Sequence, residues 1–75
     1  MNVKEKLLQI VSDVLERPMD EIEMSMKIGD IDGWDSLKHA EIIERLIREM
    51  DLNIEIYDKD LISLMGIYNR LVGQN

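Results

Sequence analysis

The first fifteen residues alternate apolar and polar positions with a helical period. At 100° per residue, Val3, Leu7, Ile10, Val11 and Val14 fall within one narrow arc, with Leu8 and Leu15 at its edge. Lys4, Glu5, Gln9, Ser12, Asp13 and Glu16 take the other side. This predicts an amphipathic helix that Arg17-Pro18 ends, because proline disfavours helical geometry in the residue before it. From Pro18 to Gly33 the period is lost. Met19, Ile22, Met24, Met26, Ile28 and Ile31 are interleaved with acids, which predicts a long loop pinned to the core by its apolar residues, with turns at Gly29-Asp30 and Asp32-Gly33.

The helical period returns after Asp35, which reads as the N-cap of a second helix from Ser36 to about Met50. Ala40, Ile43, Leu46, Ile47 and Met50 form its apolar face, and Lys38, Glu41, Glu44, Arg45, Arg48 and Glu49 lie opposite. Glu41–Arg45 and Glu44–Arg48 are expected to pair at the favourable i,i+4 spacing. Leu37 falls on the polar side. Asp51-Leu52-Asn53 breaks this helix, Ile54-Glu55-Ile56 alternates like a short extended segment, and Asp58 to Ile62 is expected to form one more helical turn. Ser63 then caps a last helix in which Leu64, Ile67, Tyr68 and Leu71 face inward and Gly73 is a natural stop. The predicted fold is all-α, a small bundle of three main helices plus one short helix, with a long loop between helices 1 and 2.

A chain of 75 residues allows a single domain, residues 1–75, that buries only about 60% of its unfolded surface. Such a core encloses no large substrate pocket. Nine basic residues against sixteen acidic ones give a net charge of −7, which disfavours nucleic acid and anionic membranes and favours basic partners. The acid is uneven. Residues 13–35 hold eight acidic against two basic residues and residues 51–60 hold four against one, whereas the second helix balances three against three. Cysteine is absent, so there is neither a disulfide framework nor a thiolate metal site. No apolar run approaches the roughly 20 residues that span a bilayer, and no signal peptide is recognisable. The expectation is a cytoplasmic protein without membrane insertion, monomeric and with no enzymatic activity of its own.

Candidate chemistry is concentrated in Asp32-Gly33-Trp34-Asp35-Ser36-Leu37. A glycine turn there delivers a serine to the start of a helix, where backbone N–H groups are unpaired and the dipole favours an anion such as a phosphate ester. Helix capping alone would account for Asp35 and Ser36. Leu37, an exposed apolar residue beside an exposed serine, adds the look of a partner contact. Asp30, Asp32 and Glu41 match positions one, three and twelve of a calcium loop, but Trp34 and Asp35 then occupy positions five and six, so no EF-hand is expected. His39 is the only histidine, at the edge of the apolar face, and reads as a packed residue, not as a base or metal ligand. Asp20, Glu21, Asp30 and Asp32 read as solvated acids. Most methionines are expected between helices, with some of them, Ile28, Ile31 and Ile62 able to line an apolar groove.

Gly33-Trp34-Asp35-Ser36-Leu37 followed by an amphipathic helix resembles the attachment motif of acyl carrier proteins and related peptidyl carriers. The resemblance extends over essentially the whole chain, in length, acidity and helix order. It implies that Ser36 carries a 4′-phosphopantetheine arm, transferred from coenzyme A by a separate phosphopantetheinyl transferase, whose thiol holds acyl or aminoacyl groups as thioesters. It also implies a loading ligase and downstream synthase or transferase enzymes as partners, recognising Asp35, Leu37, Glu41 and Glu44. Trp34 and the charge-balanced second helix look more like carriers of specialised pathways than of primary fatty acid synthesis. The alternative is an acidic helical interaction module without a prosthetic group.

Overall fold

Asn2 begins the first helix by accepting a hydrogen bond from the Glu5 backbone N–H at 2.8 Å, which satisfies one of the donors a helix start leaves open. The computed structural model describes residues 2–51 and 61–73. Helix α1 spans Val3–Leu15. It ends slightly before the expected Arg17-Pro18 stop, because Glu16 turns left-handed (φ 56°) and returns its N–H to the Ser12 carbonyl. The Arg17 N–H reaches the same carbonyl and the Ser12 hydroxyl donates to the Arg17 carbonyl, so Ser12 ties off the helix end.

Helix α2 spans Ser36–Met50 and stops at a left-handed Asp51 (φ 53°). Helix α3 spans Leu64–Gly73, and the Ser63 hydroxyl accepts from the Gly66 N–H at 3.1 Å. The Ser63 cap is the one expected from the sequence, and the stop at Asp51 falls in the expected break. The described residues thus form an all-helical small bundle with no strand. The extended segment expected at 54–56 lies outside the described residues, as does most of the helical turn expected at Asp58 to Ile62.

Helix α1 packs on both α2 and α3. Leu7, Ile10, Val11, Val14 and Leu15 are its buried residues, meeting Ile42, Ile43 and Leu46 from α2 and Leu64, Ile67 and Leu71 from α3 in one core. Full burial of each Leu or Ile contributes roughly 1.5–3 kcal/mol. Tyr68 packs against this core while only partly buried.

The inward face of α2 differs from the expected one. Ile42 is fully buried, whereas Ala40, Ile47 and Met50 are half-buried. The buried face is therefore rotated by about 50°, half a helical position at 3.6 residues per turn. Packing against α1 supplies the reason. Lys6 meets Glu49 at 3.5 Å and Asp13 meets Arg45 at 3.8 Å, so α1 lies over the Arg45–Glu49 flank and covers the adjacent Ile42. Arg45 also bonds Glu49 at 2.9 Å and not the expected Glu41, and it holds the Glu49 carboxyl below the ordinary range. Glu41 pairs with Lys38 at 3.7 Å instead, while the expected Glu44–Arg48 contact forms at 4.0 Å. These exposed pairs contribute at most about 1 kcal/mol each.

The long connection between α1 and α2 is ordered by backbone bonds. A single 3-10 turn forms at Met19–Glu21 and buries Ile22 after it. Lys27 and Ser63 form an isolated antiparallel bridge, in which Ile28 N–H donates to the Ile62 carbonyl at 2.9 Å and Leu64 N–H to the Met26 carbonyl at 3.0 Å. The loop is thereby fastened to the chain just ahead of α3. Met24, Met26, Ile28 and Ile31 pack partly buried against the core. Met19, Met65 and Ile62 are exposed, so these methionines do not fill space between helices and Ile62 lines no interior groove.

Candidate functional site at the start of helix 2

The turn that presents Ser36 is fixed by two glycines and a tryptophan. Gly29 and Gly33 both adopt positive φ, 95° and 92°, a region that side chains with a Cβ rarely occupy. Between them Asp30 N–H donates to the Lys27 carbonyl and Trp34 N–H to the Ile31 carbonyl, and Gly29 N–H returns to the Trp34 carbonyl, each at 3.0 Å. The Asp30 carboxylate accepts from the Lys27 backbone at 3.0 Å and from its ammonium at 3.3 Å, which lowers its pKa, the backbone bond contributing most. Arg17 meets Glu21 at 3.7 Å. Part of the acidic loop is thus neutralised from within.

Trp34 anchors this turn. Its side chain is only 2% exposed and belongs to the core. The indole N–H donates to His39 Nδ1 at 3.2 Å, and the opposite ring nitrogen of His39 lies 2.7 Å from the Leu61 carbonyl. Indole is a donor only and a carbonyl an acceptor only, so the pair is satisfied by neutral imidazole with its proton on Nε2. Burial lowers the His39 pKa, the bond to the Leu61 carbonyl opposing the effect. His39 is thus a packed residue, as expected, with both nitrogens engaged.

Directly after the anchored Trp34 the chain emerges. Asp35 is the N-cap, its carboxylate accepting from the Lys38 N–H at 2.9 Å while its carbonyl accepts from the His39 N–H at the same distance. Ser36 is the first helical residue, and Asp35, Ser36 and Leu37 are all exposed. The N–H groups of Ser36 and Leu37 lie beyond the reach of the helix's own ladder. Leu37 is 70% exposed, the most open large apolar side chain described. At helical spacing Leu37, Glu41, Glu44 and Arg48 form one outward stripe, all exposed. The five expected site residues are therefore all exposed, Asp35 and Ser36 at the helix start and Leu37, Glu41 and Glu44 at helical spacing after them. What the motif reading missed was Trp34's inward direction. Its signal was an aromatic side chain five positions from the only histidine, too weak without the fold.

Asp35→Ala is expected to lower stability by about 0.5–2 kcal/mol through loss of the cap. A urea midpoint should show this, with Asp35→Asn recovering most of it. An unchanged midpoint in Asp35→Ala would mean the cap contributes nothing.

No helix among the described residues is long and apolar enough to cross a membrane, and no cluster of three or more metal-ligating side chains is found among them. No protein-family model, curated protein or solved structure matches this chain.

Proposed function

We propose that the chain is a carrier domain that holds acyl or aminoacyl groups on a 4′-phosphopantetheine arm at Ser36, in a specialised biosynthetic pathway. The observation that carries this reading is the exposed Ser36 at the first position of α2, between a capping Asp35 and a 70% exposed Leu37. The residues present fit the group. A phosphodiester on Ser36 would sit beside the open N–H groups of Ser36 and Leu37 and the positive end of the helix dipole. The arm, when attached, supplies the thiol that a chain without cysteine lacks.

Apart from the Ser36 hydroxyl that would bear the arm, the protein's own residues present and position. His39 has both nitrogens committed to Trp34 and Leu61 and is unavailable as a base for Ser36. The acyl-carrier-like form of the bundle, including a fourth short helix, is part of this proposal. So is recognition of Asp35, Leu37, Glu41 and Glu44 by a phosphopantetheinyl transferase, a loading ligase and downstream synthases or transferases. Because Glu41 and Glu44 are each shared with a basic neighbour, Leu37 offers the more distinctive contact.

Incubation with coenzyme A, magnesium and a promiscuous phosphopantetheinyl transferase tests the proposal. The expected result is one phosphopantetheinyl adduct by intact mass, located to the peptide bearing Ser36. Absence of any adduct with every transferase tried would leave the acidic interaction module as the better reading.

A further inference from the structure

We propose that His39 is the pivot of an acid-operated latch, in which uptake of one proton at Nδ1 releases the Trp34 indole and loosens the turn that presents the start of α2. The inference goes beyond the carrier reading and does not depend on any modification of Ser36.

The geometry carries it. His39 is 8% exposed, and Trp34 and His39 stack obliquely with ring centroids 6.0 Å apart. Both ring nitrogens of His39 are used: Nδ1 by the indole N–H, and Nε2–H on the Leu61 carbonyl. A proton added to Nδ1 turns that acceptor into a donor facing another donor, and the 3.2 Å bond cannot survive. The bond to Leu61 is compatible with the charged ring, so the break falls on the Trp34 side. Trp34 is also the residue whose carbonyl receives Gly29 N–H and whose N–H reaches Ile31, and its carbonyl side leads directly into the Asp35 cap. Loss of the indole bond therefore leaves the Trp34 side chain held by apolar packing alone and loosens the Gly29–Asp35 turn.

Among the described residues, no charge is placed to accommodate an imidazolium. On α2 the nearby charged groups are Asp35, occupied with Lys38 N–H, and Lys38, paired with Glu41. On the loop they are Lys27 and Asp30, paired with each other, and exposed Asp32. The buried side chains of α1 and of α3 are all apolar, and Arg70 is the charged residue of α3. Asp58, Lys59 and Asp60 precede Leu61 in sequence, outside the described residues. Desolvation dominates, and the folded protein favours the neutral ring.

The sign follows from linkage. A histidine whose folded pKa lies below its ordinary value stabilises the closed form above pH 6.5 and loses that contribution as pH falls from there through the folded value. Within this window the open fraction should rise with falling pH, by at most about tenfold per pH unit for one proton.

Two-dimensional NMR of the intact protein between pH 7.5 and 4.5 tests the latch. The His39 ring, the Trp34 indole N–H and the Gly29 amide should titrate with one shared midpoint below 6.5. Exchange of the Gly29 and Trp34 amides, corrected for intrinsic rate, should accelerate over the same range. In His39→Gln, whose amide can accept from the indole and donate to Leu61 without titrating, both responses should vanish. The latch is overturned if His39 titrates at or above its ordinary value, or if its titration leaves the indole and Gly29 signals unmoved. It is equally overturned if His39→Gln keeps the wild-type pH response, which would assign the effect to carboxylates. Should the variant not fold, the wild-type titration alone decides.

Discussion

Ser36→Ala is expected to abolish phosphopantetheinylation completely while leaving the fold intact. The two halves of that result have separate causes. Loss of modification follows because the acceptor oxygen is gone, and the other serines of the described chain stand elsewhere. Ser12 is engaged with the Arg17 carbonyl, Ser63 caps α3, and Ser25 lies in the loop away from any helix start. Retention of the fold follows because Ser36 is exposed and the capping bond belongs to Asp35. An exposed substitution of this kind changes stability by no more than about 0.5 kcal/mol. Intact mass and a urea midpoint on the same sample read both. A variant that still gained the adduct would move the attachment point off Ser36. A variant that lost it by unfolding would make the hydroxyl structural.

Trp34→Ala is expected to have the largest effect on stability, a loss of about 3–5 kcal/mol. The indole is among the largest side chains in the core and almost fully buried. Its removal leaves a cavity and strands Nδ1 of buried His39 without its donor. For a chain of this size total stability is of the order of 4–11 kcal/mol at about 0.05–0.15 kcal/mol per residue, so the variant loses a large fraction of it. Trp34→Phe separates the two contributions, keeping most of the apolar volume while deleting the N–H. It should lose about 1–3 kcal/mol. Because Trp34 is the only tryptophan, unfolding is best followed by far-ultraviolet circular dichroism. A cost for Trp34→Ala below about 1 kcal/mol would show that the side chain does not anchor the turn.

The three helices were legible in the sequence because each carries its own signal: apolar period, cap and stop. Val3 to Leu15 alternates without interruption, Asp35 and Ser63 mark helix starts, and Gly29 and Gly33 mark turns that the backbone indeed needs there. What the pattern did not carry was set by neighbours. Ile42 was not among the residues of the apolar face read from an isolated wheel and is core because α1 lies on that flank of α2. Arg45 chose Glu49 and Asp13 over Glu41 for the same reason. Of the candidate site, the exposure of Ser36 and Leu37 followed from position at a helix start. The Trp34–His39–Leu61 chain did not, since it joins two elements distant in sequence through a main-chain oxygen that no motif records.

The bridge between Lys27 and Ser63 also bears on the order of assembly. The cross-chain bonds of Met26 and Ile28 go to Leu64 and Ile62, distant in sequence, whereas α1 and α2 can dock without them. Closing such a non-local clasp is entropically slow. During refolding, a brief trypsin pulse should therefore cut after Lys27 well after the Arg45 site in α2 has become resistant. Simultaneous protection of both sites would mean that the clasp closes in the same step as the helix pair. If it closes later, the newly made protein spends its first moments with the serine-bearing helix in place and the turn ahead of it still undone.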